Sequence, residues 1–173
     1  MINKQSSDFE KQSQNLIKEI EEAFCDVLLE DGVTISQAMV IDDYGTVEQE
    51  AEARKQDTES CWQDITDQKI IDCCSVFSYL DAKGFHFYIP AYLRTALRNF
   101  HDDPNGICSS CEFYLSSESS TTFTKTVLKI KFTVSQVKAI IKFLSFIIAF
   151  DEYAEKTTIK SSIKKWEKKL EGC

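Results

Sequence analysis

The chain has 173 residues and a formal charge of −8, from 28 Asp and Glu against 20 Lys and Arg. With 43% hydrophobic and 28% charged residues, it suits one soluble globular domain that needs no disulfide or metal to fold. A pI near 4.8 argues against a general nucleic-acid binder, and five Gly and two Pro exclude collagen-like or long disordered character.

In chain order, residues 1–7 are polar and are read as disordered. Phe9, Leu16, Ile17, Ile20, Phe24, Val27 and Leu28 then recur at helical spacing and predict a helix over 8–30, stopped at Gly32. Thr34 caps a short helix ending at Gly45. Residues 46–60 are rich in Glu, Ala, Gln and Lys and predict a surface helix with Val47, Ala51 and Arg54 in one line. Asp64 or Thr66 caps a helix over 67–80 whose Ile70, Ile71, Cys74 and Phe77 face the core. The aromatic run at 85–89 reads as extended, and Pro90 then opens a helix that reaches residue 100.

Asp102-Asp-Pro-Asn-Gly106 is a strong turn signal. Residues 107–123 read as a loop, and a β-prone run at 124–132 allows a hairpin with 112–115. Thr133-Val-Ser-Gln136 is a capping box that opens a helix to about residue 153. A basic helix over 158–170 places Ile159, Ile163, Trp166 and Leu170 on one face. The expected fold is all-α: a single domain over 1–173 with six to seven helices and at most a small β hairpin near 111–132.

The start of the chain has no apolar signal-peptide core, and the apolar run 143–150 is far short of the roughly 20 residues of a membrane span. The seven Cys are odd in number and argue against a disulfide framework, so a cytoplasmic protein with no membrane partner is expected. Charge is uneven: residues 1–60 carry 15 acidic and 5 basic side chains, whereas 121–173 carry 5 and 11. An acidic front and a basic tail imply either mutual packing or two faces of opposite sign.

No phosphate loop, nucleophile elbow or zinc-protease motif is present, and no catalytic set, metal site or cofactor is assigned. Cys108-x-x-Cys111 lacks a second ligand pair and reads as two ordinary loop cysteines. His86, between two Phe, reads as a partly buried histidine bonded to backbone. A general-base role would need a carboxylate beside it, such as Asp64 or Asp81. Asp42, Asp43, Arg54, Asp57 and Asp64 read as an ion-pair network, with Arg54 and Asp57 sharing a helix face. Trp62, Tyr88, Tyr92 and Trp166 fit a core, but would suit an interface if the tyrosine hydroxyls reached a surface. The partner-binding candidates are therefore Asp42, Asp43, Arg54, Asp57, Trp62, Asp64, His86, Tyr88, Tyr92 and Arg94.

Four pieces occur in order: Ala38-Met-Val-Ile-Asp-Asp-Tyr-Gly45; Ala53-Arg54-x-x-Asp57 leading to Trp62-x-Asp64-Ile65; Leu80-Asp-x-x-Gly-Phe-x-Phe-Tyr-x-Pro-Ala-Tyr-Leu93; and Gln136-Val-x-Ala-Ile-x-x-Phe-Leu144. Over roughly residues 15–166 the chain resembles a family of small bacterial proteins known only as a domain of unknown function. The run from Gly84 to Tyr92 is the most specific element. The resemblance implies a mostly helical single domain and no particular activity. The chain departs from the family pattern after Asp67, where a proline is usual, and Cys108 and Cys111 are not family features.

Three functions from different classes follow. The first is a protein-binding module, of the kind that immunity and inhibitor proteins form, whose acidic face masks a basic partner. The second is a small hydrolase-like enzyme using His86 with the central carboxylates. The third is a homo-oligomeric structural or regulatory module joined through its acidic and basic faces.

Overall fold

The aromatic run that reads as extended is the middle of a helix, and the rest of the molecule is built around it. The computed structural model describes residues 2–116, 127 and 129–171. Eight α-helices are present among them: α1 (Ile2–Ala23), α2 (Ile35–Asp42), α3 (Val47–Arg54), α4 (Asp67–Asp72), α5 (Ala82–Arg98), α6 (Ile107–Leu115), α7 (Val134–Phe150) and α8 (Lys156–Glu171). Short 3-10 turns occupy Trp62–Asp64, Val76–Tyr79 and Pro104–Gly106, and there is no strand among the described residues.

Helix α5 is capped by Asp81, whose side chain accepts the Gly84 N–H at 2.7 Å. From Phe85 to Leu97 every residue except His86 is buried, as expected of a helix that is apolar nearly all round. Pro90 lies inside it, so the carbonyl of His86 has no N–H partner four residues on. Strand propensity favours Phe, Tyr and Ile at 85–89, but a short apolar run does not separate a strand from a buried helix. The Asp81 cap and burial on every side decide for the helix.

Helices α1, α4 and α6 pack on α5, and α7 lies between α1 and α8. Ser13 Oγ donates to the Leu97 carbonyl, tying α1 to α5. One apolar cluster runs from Leu16 through α5 to Trp166. Gly84 and Gly32 mark where two backbones meet. A Cβ on Gly84 would lie 2.3 Å from the Val33 carbonyl oxygen, and one on Gly32 would lie 2.6 Å from the Gly84 nitrogen.

Other boundaries differ from expectation for identifiable reasons. Helix α1 begins at Ile2, ahead of the apolar period, and ends at Ala23 rather than residue 30. The Phe24 carbonyl accepts the Trp62 indole N–H, and Glu30, not Gly32, takes the left-handed conformation with φ 53°. Helix α2 ends at Asp42. Tyr44 holds φ 57°, and the Tyr44 and Gly45 N–H groups return to the Ile41 and Val40 carbonyls, a Schellman closure. Thr46 and Gln49 form a capping box that sets α3 in place of a longer surface helix.

The helix expected over 67–80 stops at Asp72, because the Tyr92 hydroxyl donates to the Cys73 carbonyl and the chain tightens into the Val76–Tyr79 turn. Residues 107–115, read as a loop, are helix α6, with Ile107, Cys108, Cys111 and Leu115 turned to the core. Glu112–Leu115 therefore supplies no hairpin strand. Of the β-prone run, Val127 and Lys129 are helical, and much of the rest lies outside the described residues.

Gly84→Ala is expected to cost about 1–3 kcal/mol through overpacking against the Val33 backbone. Urea unfolding measures it, and an unchanged midpoint would show that the contact relaxes freely.

Candidate functional site

The ten candidate residues divide into a buried group and an exposed one. Trp62, Tyr88, Tyr92 and Arg94 are buried: the three aromatics take the core role, the tyrosine hydroxyls do not reach a surface, and these four residues drop out of the partner-binding set. Each instead bonds to a neighbouring segment. Trp62 Nε1 donates to the Phe24 carbonyl at 2.8 Å. Tyr92 donates to the Cys73 carbonyl, and its ring packs 4.0 Å from that of Phe77. The Tyr88 hydroxyl is met by the backbone N–H of Ile35, and burial pushes its pKa up.

Arg94 is 4% exposed and sits with its guanidinium 5.4 Å from the Trp62 ring centroid. It donates to the Gln63 carbonyl at 3.0 Å and to the Ile65 carbonyl. Its Nε has no hydrogen-bond partner, and Asp67 Oδ1 lies 3.6 Å away. Asp67 also accepts from Thr95 and Arg98. Burial and the nearby Arg98 lower the Arg94 pKa, which leaves it charged at neutral pH.

Arg54 and Asp57 do not form the expected shared helix face, because α3 ends at Arg54. Arg54 spans the 30–37 turn: it donates to the Gly32 carbonyl at 2.6 Å, Gln37 Oε1 at 2.8 Å and the Glu30 carbonyl at 3.0 Å. Asp57 instead receives the Ser36 N–H at 3.0 Å, the Ser36 hydroxyl at 2.9 Å and Lys69 Nζ at 2.7 Å. Lys69 also pairs with Glu59. Burial raises the Asp57 pKa, but Lys69, Thr34 and Ser36 together outweigh it, and the net direction is down.

His86 is half-buried. Its Nε2 lies 3.1 Å from Gln136 Oε1, and its ring packs edge-on to Phe24 and Phe132. Burial lowers its pKa against the opposing Gln136 bond, so the ring is neutral at pH 7. An oxygen acceptor at Nε2 selects the Nε2–H tautomer. Its neighbours in these contacts are an amide and two rings rather than Asp64 or Asp81. Exposed Asp64 accepts from the Cys61 thiol, pushing the Cys61 pKa up.

Cys108 and Cys111 are core residues of α6 rather than loop cysteines. Burial pushes the Cys108 thiol up to about 12 and Cys111 well above its ordinary value. Among the described residues, no group of three or more His, Cys, Asp or Glu could hold a metal ion. No described helix is long and apolar enough to cross a membrane.

Asp42 and Asp43 lie at the far end of α2 from Asp57, beside residues the sequence reading passed over. Tyr44 is 97% exposed and Tyr79 37% exposed, with Met39 and Val47 also at the surface. A hydrogen bond to Asp42 raises the Tyr79 pKa, placing the two together. The sequence signal was present in Asp42-Asp43-Tyr44-Gly45, but it read only as the end of a helix. Among the described ion pairs, none engages Asp42, Asp43 or Glu48.

The fold and the buried residues together define an all-helical domain organised around one enclosed helix. The chain belongs to the family described as "Family of unknown function (DUF6714)", whose model matches residues 12–170. No curated protein and no solved structure matches it.

Asp57→Asn is expected to cost about 1–3 kcal/mol at neutral pH, because Lys69 and Ser36 lose a buried anionic partner. A depressed carboxyl pKa stabilises the fold above its unfolded value and loses that contribution as pH falls through the folded value. The variant's deficit should therefore shrink below about pH 4, as measured by denaturant titration across pH. Arg94→Met should cost about 3 kcal/mol or more, since it strands the buried Gln63 and Ile65 carbonyls.

Proposed function

We propose that this chain is a protein-binding module whose acidic front masks a basic partner, in the manner of an immunity or inhibitor protein. The observation that supports it is the α2–α3 turn. There, exposed Tyr44 stands with Asp42 and Asp43, Tyr79 of the 76–79 turn lies beside Asp42, and Glu48 follows on α3. Tyrosine is enriched at interface hot spots, and carboxylates without an internal cation attract a basic surface. Tyr44 holds its left-handed backbone without being glycine, a conformation that costs energy and presents the ring outward.

The charge distribution adds support. Among the described ion pairs, Lys142–Glu19 alone joins residues 1–60 to the basic last third; Glu30, Asp31, Glu52, Asp57 and Glu59 pair with Lys83, Lys55 and Lys69, whereas Asp42, Asp43 and Glu48 are in none of them. The buried candidates Trp62, Tyr88, Tyr92 and Arg94 then serve the fold that presents this surface.

The test is affinity capture from host lysate with the wild-type chain and a Tyr44→Asn/Asp43→Lys variant. Asn tolerates the left-handed backbone at 44 and removes only the ring. A stoichiometric basic protein should bind the wild type and be lost at raised salt. The variant should hold it about tenfold more weakly. Equal recovery of the same proteins by both chains would overturn the reading.

A further inference from the structure

At the other end of α1, the molecule opens a cleft of about 680 Å³ between the start of α1, the end of α5, the start of α6 and the turn after α7. Its floor is aromatic. Phe9 is the hub, with ring centroids 4.4 Å from His101, 5.2 Å from Phe150 and 5.5 Å from Phe100. Phe146 closes the cluster beneath, 5.3 Å from Phe9. Its rim is acidic: Asp103, Asp151 and Glu152 line it, and no Lys or Arg is among its described lining residues. The exposed ring of Tyr153 stands beside them.

We propose that this cleft is a binding site for a small organic cation, a quaternary or alkyl-ammonium group seated on the Phe9 cluster and faced by Asp151 and Glu152. Ring faces carry negative quadrupole potential and attract ammonium groups more than neutral groups of the same shape. The volume lies in the range of small-molecule sites, which combine an apolar floor with a few convergent polar groups. The negative potential is felt by neighbouring groups: after burial, Asp103, Asp151 and Glu112 raise the Cys108 thiol further. Glu112 is itself raised by burial and then by Asp151 and Glu155. An anion would meet these carboxylates, and a neutral ligand would leave them unused.

The site is independent of the α2–α3 surface. Phe9 and Phe24 are fifteen residues apart. That places the cleft about 22 Å along the chain direction of α1 from the Trp62 anchor. Two of the carboxylates have local duties that an isosteric amide preserves in part. Asp103 Oδ1 accepts the Cys108 N–H at 2.7 Å, and Asp151 Oδ1 accepts the Tyr153 N–H at 2.8 Å. Asp151→Asn keeps a carbonyl oxygen for that bond and removes the charge.

The test titrates the full chain with choline and with neohexanol, its neutral isostere in which carbon replaces nitrogen, by isothermal calorimetry. Choline should bind with a Kd of about 1 mM or tighter and neohexanol at least about fivefold more weakly. Asp151→Asn and Phe150→Leu, each checked for native thermal unfolding, should each weaken choline binding by about fivefold. Equal affinity for the two ligands would overturn the proposal, as would absence of choline binding or choline affinity unchanged in both variants. The wild-type comparison stands even if a variant fails to fold.

Discussion

A helix buried on every side must have its polar groups answered by the chain that surrounds it. Helix α5 carries Tyr88, Tyr92, Arg94 and Thr95 into the interior, and each finds a partner in a different neighbouring segment. These are the Ile35 N–H, the Cys73 carbonyl, the Gln63 and Ile65 carbonyls, and the Asp67 carboxylate. An unanswered buried polar group costs more than a typical hydrogen bond contributes, so these bonds act chiefly as constraints. They fix where residues 61–76 run. They also explain why α4 is short: the Gln63 and Ile65 carbonyls before it and the Cys73 carbonyl after it point at α5 rather than along a helix axis.

The same logic extends outward from α5. Trp62 is buried against Phe24 and lies near the Arg94 guanidinium, which holds the end of α1 to the 62–65 turn. Asp57 then bonds the start of α2, and Arg54 gathers the carbonyls of the preceding turn. The Asp57–Lys69 pair has neighbours in Ser36 and Glu59 that occupy its remaining sites, the condition under which a buried charge is tolerated. The residues with the most distinctive chemistry in the sequence are thus used to join elements. The surfaces left for other molecules are built from plainer ones, an aspartate pair with tyrosines at one end and a phenylalanine floor with an acidic rim at another.

Charge keeps its segregation in the folded state. The acidic front meets the basic tail mainly through apolar packing of α1 on α7, while the lysines at 156, 160, 164, 165 and 168 face solvent on α8. The exposed lysines of α8 and the carboxylates of the α2–α3 turn both stay at the surface, where steering of a charged partner acts over roughly a Debye length at physiological salt.

The sequence by itself determined the helical class, the family resemblance, the Thr34 cap, the capping box at Thr133 and the core faces of α1 and α8. Those features depend on contacts three or four residues apart, which a linear pattern displays directly. It did not determine that 85–89 is helical, that 107–115 is helix α6, or that Tyr88, Tyr92 and Arg94 are enclosed. Strand-prone aromatics become helix only because neighbours bury them on all sides, and an arginine becomes interior only because carbonyls from a distant turn converge on it. The cleft at Phe9 was equally out of reach, since its rings come from α1, the turn after α5 and the end of α7 and meet only when those elements pack. Local pattern chose the elements, and long-range packing decided which side chains hold the fold and which face a partner.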